Sequence, residues 1–348
     1  MTKWSKRERF NRILRERDVA DRPMVSAWRH FIEVEHDSIA LAAATVDFQR
    51  KYDWDFVKIN PRTTYYAEVW GNEYDYSQYD GVVPLVTKIR IQDREDLKQI
   101  TPRTAEAAPL QDQLKVISRV RQELGDEVPI VQTVFSPLAV LEYLGGHRTL
   151  ASYRPAIRKA SPLPELLAAS PTEVHKALEA ITETLVDYAK AALRSGADGF
   201  FYAVLGLARD GYLTSEEYKE FGLPYDLELL RYISPDPVIL HTCGPEAHPE
   251  RFAEYPISAL HWADRAPGNP SLAGHEQWLK APIAVGGVDE RLFGANGSPS
   301  TIISQSLETI EAFRGRPLIL APGCGLPLDA EDEQLKALRN SVEHSSVG

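Results

Sequence analysis

Apolar residues along the chain collect into eight short runs separated by longer segments of helical periodicity. The runs are Pro23–Trp28, Phe56–Asn60, Pro129–Thr133 and Gly199–Val204, then Pro237–His241, Ala259–Asp264, Pro282–Gly287 and Pro317–Ala321. Each is close to continuously apolar, as a parallel strand covered on both faces must be. Among the intervening segments, Ser170–Arg194 predicts a long amphipathic helix, with Pro171 just inside its start. Thr214 and Glu217 have the spacing of a capping box. After Ser298-Pro299, the positions Ile302, Ile303, Leu307, Ile310 and Phe313 recur on one helical face. Strand and helix alternating in this way predict an α/β chain folded as a (β/α)8 TIM barrel, one domain over residues 1–348. A doubly wound sheet fits less well: Ala27-Trp28-Arg29-His30 follows the first strand where a glycine-rich dinucleotide loop would stand.

Three segments go beyond a minimal barrel. The first residues are charged and helical in pattern. Residues 63–93 are rich in Tyr and Trp, and Val82–Gln92 partly alternates, which predicts an inserted β-hairpin after the second strand. Tyr65, Tyr66, Trp70, Tyr74 and Tyr76 crowd this insert and suit a local cluster stabilising a two-stranded ribbon. A cover over the barrel mouth and a subunit contact in a homodimer are the other uses open to them. Ser152–Pro171, rich in Pro and Ala, reads as a loop over the site.

Composition narrows the function classes. The 348 residues are 43% hydrophobic and 26% charged, ordinary for a globular protein, and carry a net charge of −11. That acidity argues against nucleic acid as a partner. No run is long enough for a membrane helix, and the N-terminus lacks the apolar core of a secretory signal, so a cytoplasmic protein is expected. The chain contains only 2 Cys, so no disulfide framework is available and the places of those two matter.

Both lie where barrel chemistry is built. The fifth strand runs Val238-Ile239-Leu240-His241-Thr242-Cys243, and residues two apart on a strand face the same way. His241 and Cys243 therefore point together at the carboxyl end of that strand, the face that carries barrel active sites. Cys324 follows the eighth strand at the same rim. One imidazole and two thiolates are a ligand set suited to zinc with a fourth position open. Zinc would deprotonate a bound thiol, which otherwise stays mostly protonated near neutral pH. Two buried cysteines and a core histidine packed for shape alone are the bland alternative. Arg29, Asn60 and Tyr202 also fall at strand ends and are expected to line the substrate site. His261 and Asp264, one strand along, are candidates for proton handling, a hydrogen bond to a ligand, or the remaining metal position. Glu246 and His248 read as solvated residues at a helix start.

The residues resemble a known family. Gly196-Ala197-Asp198-Gly199-Phe200-Phe201, Ser215-Glu216-Glu217-Tyr218 and Phe221-Gly222-Leu223-Pro224-Tyr225 are similar to the fourth strand and following helix of the uroporphyrinogen decarboxylase superfamily. Gly286-Gly287-Val288-Asp289 and Pro322-Gly323-Cys324-Gly325-Leu326-Pro327 resemble its seventh-strand and closing turns. Within that superfamily, a His-x-Cys pair with a distant Cys resembles the methylcobamide:thiol methyltransferases of the coenzyme M type. The resemblance implies His241, Cys243 and Cys324 as zinc ligands and methyl transfer between a corrinoid protein and a small thiol. With no D-x-H-x-x-G cobalamin signature in the chain, it further implies a separate corrinoid protein that supplies the methylcobamide.

The decarboxylase branch resembles this chain less closely. Its members carry an Arg-rich loop after the first strand and an Asp after the second. Here Trp28-Arg29-His30 keeps one Arg, and Lys58-Ile59-Asn60-Pro61 offers no acid. A metal-free lyase acting on a tetrapyrrole or another carboxylate is the alternative expectation. A barrel that binds a corrinoid or tetrapyrrole without turnover is a third.

Overall fold

A computed structural model describes residues 4–146, 163–279, 282–295 and 297–343. Ten strands are present among them: β1 (Met24–Val25), β2 (Val57–Ile59), β3 (Glu73–Asp80), β4 (Val83–Lys88), β5 (Ile130–Phe135), β6 (Gly199–Leu205), β7 (Val238–Thr242), β8 (Ala259–His261), β9 (Ile283–Val288) and β10 (Ile319–Pro322). Eight of them form a parallel sheet in the order β2-β5-β6-β7-β8-β9-β10-β1. The two ends of this order meet: the Asp55 amide donates to the Val25 carbonyl at 3.0 Å, and Ser26 Oγ donates to the Phe56 carbonyl at 2.9 Å. The curled sheet is a TIM barrel, and its eight strands are those the apolar runs predict.

Local chemistry explains the helices. Pro171–Arg194 follows Ser170 with proline at its first position. The expected capping box is formed in both directions, Glu217 N to Thr214 Oγ1 at 3.1 Å and Thr214 N to Glu217 Oε2 at 2.8 Å. Ser298 caps Pro299–Ala312 by accepting from the Thr301 amide at 3.2 Å. Strands β3 and β4 form the inserted antiparallel hairpin after β2. Of the expected loop Ser152–Pro171, residues up to 162 lie outside the described residues; Leu163–Ala169 is a helix leading into the long one.

The aromatic insert differs from expectation. Tyr65 and Tyr66 belong to a short helix, Tyr65–Glu68, rather than to the ribbon. Both are fully buried, with their hydroxyls donating to the Thr133 carbonyl at 3.0 and 3.3 Å. Trp70 is buried too and donates to the Thr101 carbonyl. These rings pack against the barrel wall, so they serve neither the ribbon nor a subunit contact. Among the described residues, no helix is long and apolar enough to cross a membrane.

The amino-terminal face of the barrel is sealed by charge. The N-terminal helical segment runs from Lys6 to Arg15 and places Arg9 against Asp55, 2.8 Å apart. Arg22 reaches both oxygens of the same carboxylate at 2.7 and 3.0 Å, and the Val25 amide donates to it at 2.8 Å. Asp198 is clasped in a similar way by Arg7, Arg121 and the Ile130 amide. Chemistry is left to the opposite rim.

Candidate metal centre

Strand β7 delivers His241 to the carboxyl rim, and the chain turns immediately afterwards. The Cys243 amide donates to the Leu205 carbonyl at 2.9 Å. Leu205 holds that carbonyl in place from a left-handed backbone conformation (φ 56°), costly for a side chain of its size. Asn269 then pins the turn by donating to the Gly244 and Ala263 carbonyls. Cys324 arrives from β10 through Gly323, where a Cβ would lie 2.7 Å from Ala263 Cα and 2.8 Å from Glu290 Oε2. Only glycine lets the chain pass so close to β8 and turn Cys324 inward.

The consequence is a convergence of donors. The thiols of Cys243 and Cys324 lie 3.5 Å apart, and Cys324 Sγ lies 3.8 Å from His241 Nε2. One donor atom from each of the three falls within 4.8 Å of the others. Around a tetrahedral zinc with ordinary bond lengths, sulfur–sulfur and sulfur–nitrogen edges are about 3.8 and 3.6 Å. The three residues fit that ion. His241 and Cys243 are buried, while Cys324 keeps partial exposure toward the mouth.

The electrostatics agree with a site made for a cation. Burial pushes the His241 imidazole well below its ordinary value, with His261 and Lys58 adding in the same direction, so the ring is neutral and can donate a lone pair. The hydrogen bond with Cys243 and burial hold the Cys324 thiol well above its ordinary value.

The remaining expected residues divide. His261 stacks on His241, ring centroids 4.6 Å apart, and its Nε2–H donates to the Pro322 carbonyl at 2.9 Å. Burial takes its pKa down to about 3, so it is neutral and fixes the neighbouring ring. Asp264 is turned to the backbone, accepting from the Gly287 amide at 2.9 Å, and burial raises it to about 6. Neither joins the three-donor cluster. Asn60 is buried and accepts from Lys58 Nζ. Arg29 donates to the Leu328 carbonyl at 2.6 Å, tying the loop after β1 to the segment after β10. His248 is held by Asp210 and Glu250 at the surface rim, away from the donors.

Tyr202 must be corrected. Its hydroxyl donates to Asp226 Oδ1 at 2.5 Å, on the helix Leu223–Ile233 outside the barrel wall. The neighbouring Phe201 is the one that faces inward, its ring 5.4 Å from His241 and 5.7 Å from His261. Lys58, unmarked in the sequence as a site residue, also enters the pocket, its ammonium 4.4 Å from the Phe201 centroid. A lysine in a short apolar strand gives no signal of which way it points.

Comparison with known proteins now bears on this geometry. The family model described as Uroporphyrinogen decarboxylase (URO-D) matches residues 17–345. The chain belongs to this family. Its curated relatives in the uroporphyrinogen decarboxylase family are distant. One from Prochlorococcus marinus, named uroporphyrinogen decarboxylase, is 26% identical over 64% of this chain and 60% of its own length. The match thus spans about three-fifths of that relative. Another so named, from Wolbachia pipientis, is 23% identical over 92% of this chain and 89% of its own. Among solved structures, a methyltransferase from Methanosarcina mazei superposes with a TM-score of 0.75 at 19% identity, covering 98% of this chain and 99% of its own. A putative vitamin-B12-independent methionine synthase from Listeria monocytogenes gives 0.56 at 14% identity, with 94% and 97% covered. At these identities the structural likenesses establish the shared barrel fold.

Proposed function

We propose that this member of the uroporphyrinogen decarboxylase family is a zinc-dependent methyltransferase that moves a methyl group between a methylcobamide protein and a small thiol. The observation that carries the proposal is the convergence of His241 Nε2 and the two thiols, the only cysteines in the chain, within 4.8 Å. Packing alone does not require both cysteines to meet a neutral imidazole at the rim where barrel catalysis takes place. Zinc bound there would keep a substrate thiol ionised at neutral pH and so supply the nucleophile.

The protein's own residues do the rest. His241, kept neutral by burial, presents a lone pair, and His261 stacked against it keeps the ring from turning. Trp28 and Phe201, 5.1 Å apart, form an aromatic wall beside the two imidazoles, Trp28 against His261 and Phe201 against His241. The transfer would form a sulfur–carbon bond as the methyl group leaves the corrinoid, with the thiol proton released to solvent. The corrinoid would be presented at the barrel mouth by a partner that carries it.

Freshly purified protein is expected to hold about one zinc per chain, lost in Cys243→Ala, and to demethylate methylcobalamin with one of a panel of small thiols. A metal-free chain that methylates no thiol would overturn the proposal. The names of the curated relatives favour a second reading, decarboxylation of a tetrapyrrole. The pocket argues the other way: pyrrole N–H groups need acceptors, and Lys58 brings an ammonium, which only donates. Release of carbon dioxide from uroporphyrinogen by metal-free protein would establish that second reading.

A further inference from the structure

Lys58 stands in the pocket without an anion. Its Nζ lies 4.4 Å from the Phe201 centroid and 5.5 Å from that of Trp28, and it donates to Asn60 Oδ1. Among the described residues no carboxylate comes within the 4.0 Å of an ion pair. The sequence stretches beyond them contain no Asp or Glu that could supply one. The side chain keeps some accessible surface while protein surrounds its ammonium at longer range, as befits a residue lining a pocket. Burial draws its pKa down to about 7, and charge on Cys324 draws it back up. Several buried cations elsewhere in this protein have carboxylate partners: Arg9 and Arg22 share Asp55, and Arg62 faces Glu68 at 2.6 Å. A cation without a carboxylate in such surroundings is destabilised, so Lys58 is poised for an anionic partner that arrives later.

The charge of the proposed metal centre supplies one. A divalent cation, two thiolates and a neutral imidazole sum to zero. When a substrate sulfur joins Cys243 and Cys324, the set carries one negative charge in a site walled by aromatic rings. We propose that Lys58 is the counter-cation of that enlarged thiolate set, favouring entry of the substrate as a thiolate. This rests on the zinc reading above and adds a positioning residue to it. Asn60 and the ring faces of Trp28 and Phe201 hold the ammonium in place. A compact ammonium suits the task better than a planar guanidinium, which would spread over the rings.

The test reads binding rather than turnover. Cobalt(II)-loaded protein is titrated with a neutral thiol, 2-mercaptoethanol, and an anionic one, 3-mercaptopropionate, following the sulfur-to-cobalt absorption. Lys58→Met is expected to weaken both thiols about 30-fold or more, as loss of one partner of a buried charge pair does. Metal affinity by chelator competition should stay within a few-fold of wild type, and Lys58→Arg should recover part of the loss. Lys58→Gln serves as the second neutral variant where Met disturbs the barrel. Wild-type thiol affinity in a metal-loaded neutral variant overturns the inference and leaves the zinc reading standing. So does a loss confined to 3-mercaptopropionate, which would make Lys58 an anchor for the substrate's tail. Wild-type protein that binds no cobalt, or binds it equally well as Cys243→Ala, overturns both.

Discussion

Two thiols 3.5 Å apart, with no third cysteine in the chain, leave the metal-free protein open to oxidation at one place. A disulfide needs the sulfurs at about 2.05 Å, a short approach for side chains that already share a hydrogen bond. Chelator-stripped protein treated with diamide should lose both titratable thiols to an intramolecular disulfide and with them its capacity to take up zinc. Zinc-loaded protein should keep both, as a thiol count with and without denaturant would show. Two free thiols after diamide treatment of the stripped chain would mean that the pair is less mobile than its spacing implies. At this scale the sequence made the donors legible, because a spacing of two on one strand fixes a shared direction for His241 and Cys243 whatever the rest of the fold does. It did not reveal Lys58 or place Tyr202. Both lie on strands that are apolar throughout, and where both faces are buried no alternation marks which side chains enter the barrel. Gly199–Val204 gives Phe201 and Tyr202 equal claim to the interior; only the packing of the helix carrying Asp226 decides between them.

That helix shows how one element is locked to its neighbours. Asp226 is fully buried and accepts from Tyr202 on β6, Tyr218 on the helix Ser215–Phe221, and Tyr255 after the 3-10 turn Pro249–Phe252, at 2.5, 2.7 and 3.2 Å. Burial raises its pKa from 3.8 to about 6 despite these three donors. The folded form therefore holds the Asp226 proton more tightly than the unfolded chain. The sign follows: this group favours folding most at low pH, and its contribution declines as pH rises from about 4 to 6. The span corresponds to about 3 kcal/mol. Urea unfolding of wild type and Asp226→Asn between pH 4 and 7 should show the difference between them shifting in favour of the variant by roughly that amount. A constant difference across the range would mean that Asp226 is ionised in the fold throughout. Tyr202→Phe removes one donor from the same hub and should cost about 1 kcal/mol of stability. Zinc content and thiol affinity should stay at wild-type values in Tyr202→Phe, because the hydroxyl lies outside the barrel wall; a change in either would restore Tyr202 to the substrate site. The helices themselves were plain from Thr214, Glu217 and Ser298, whose caps depend on a few adjacent residues. The aromatic insert was not, since Tyr65 and Tyr66 owe their burial to β5 and Tyr188, both distant in sequence.

Across the whole molecule, the two ends of the barrel carry different tasks. The eight strands were legible as apolar runs, but the closure between β1 and β2 was not. It is made by single bonds from Asp55 and Ser26 flanking a strand of two residues, and no periodicity extends over so short a stretch. Asp55 is the residue on which that closure and the seal of the amino-terminal face both depend. Its carboxylate, fully buried, answers the guanidinium groups of Arg9 and Arg22 and the Val25 amide. Asp55→Asn keeps the shape and removes the charge, leaving two buried cations to Asp21 and the more distant Glu343. Breaking a buried pair from one side is expected to destabilise by about 3 kcal/mol. The sulfur centre lies at the other end of strands that pass between, so each molecule that remains folded should bind zinc and thiol as wild type does. The measurement pairs urea unfolding with zinc content and thiol affinity on the folded fraction. A variant of normal stability would show that the network at the closed face adds nothing. Lost stability accompanied by lost zinc would show that the seam between β1 and β2 also holds the rim in register, and that the two faces are mechanically one.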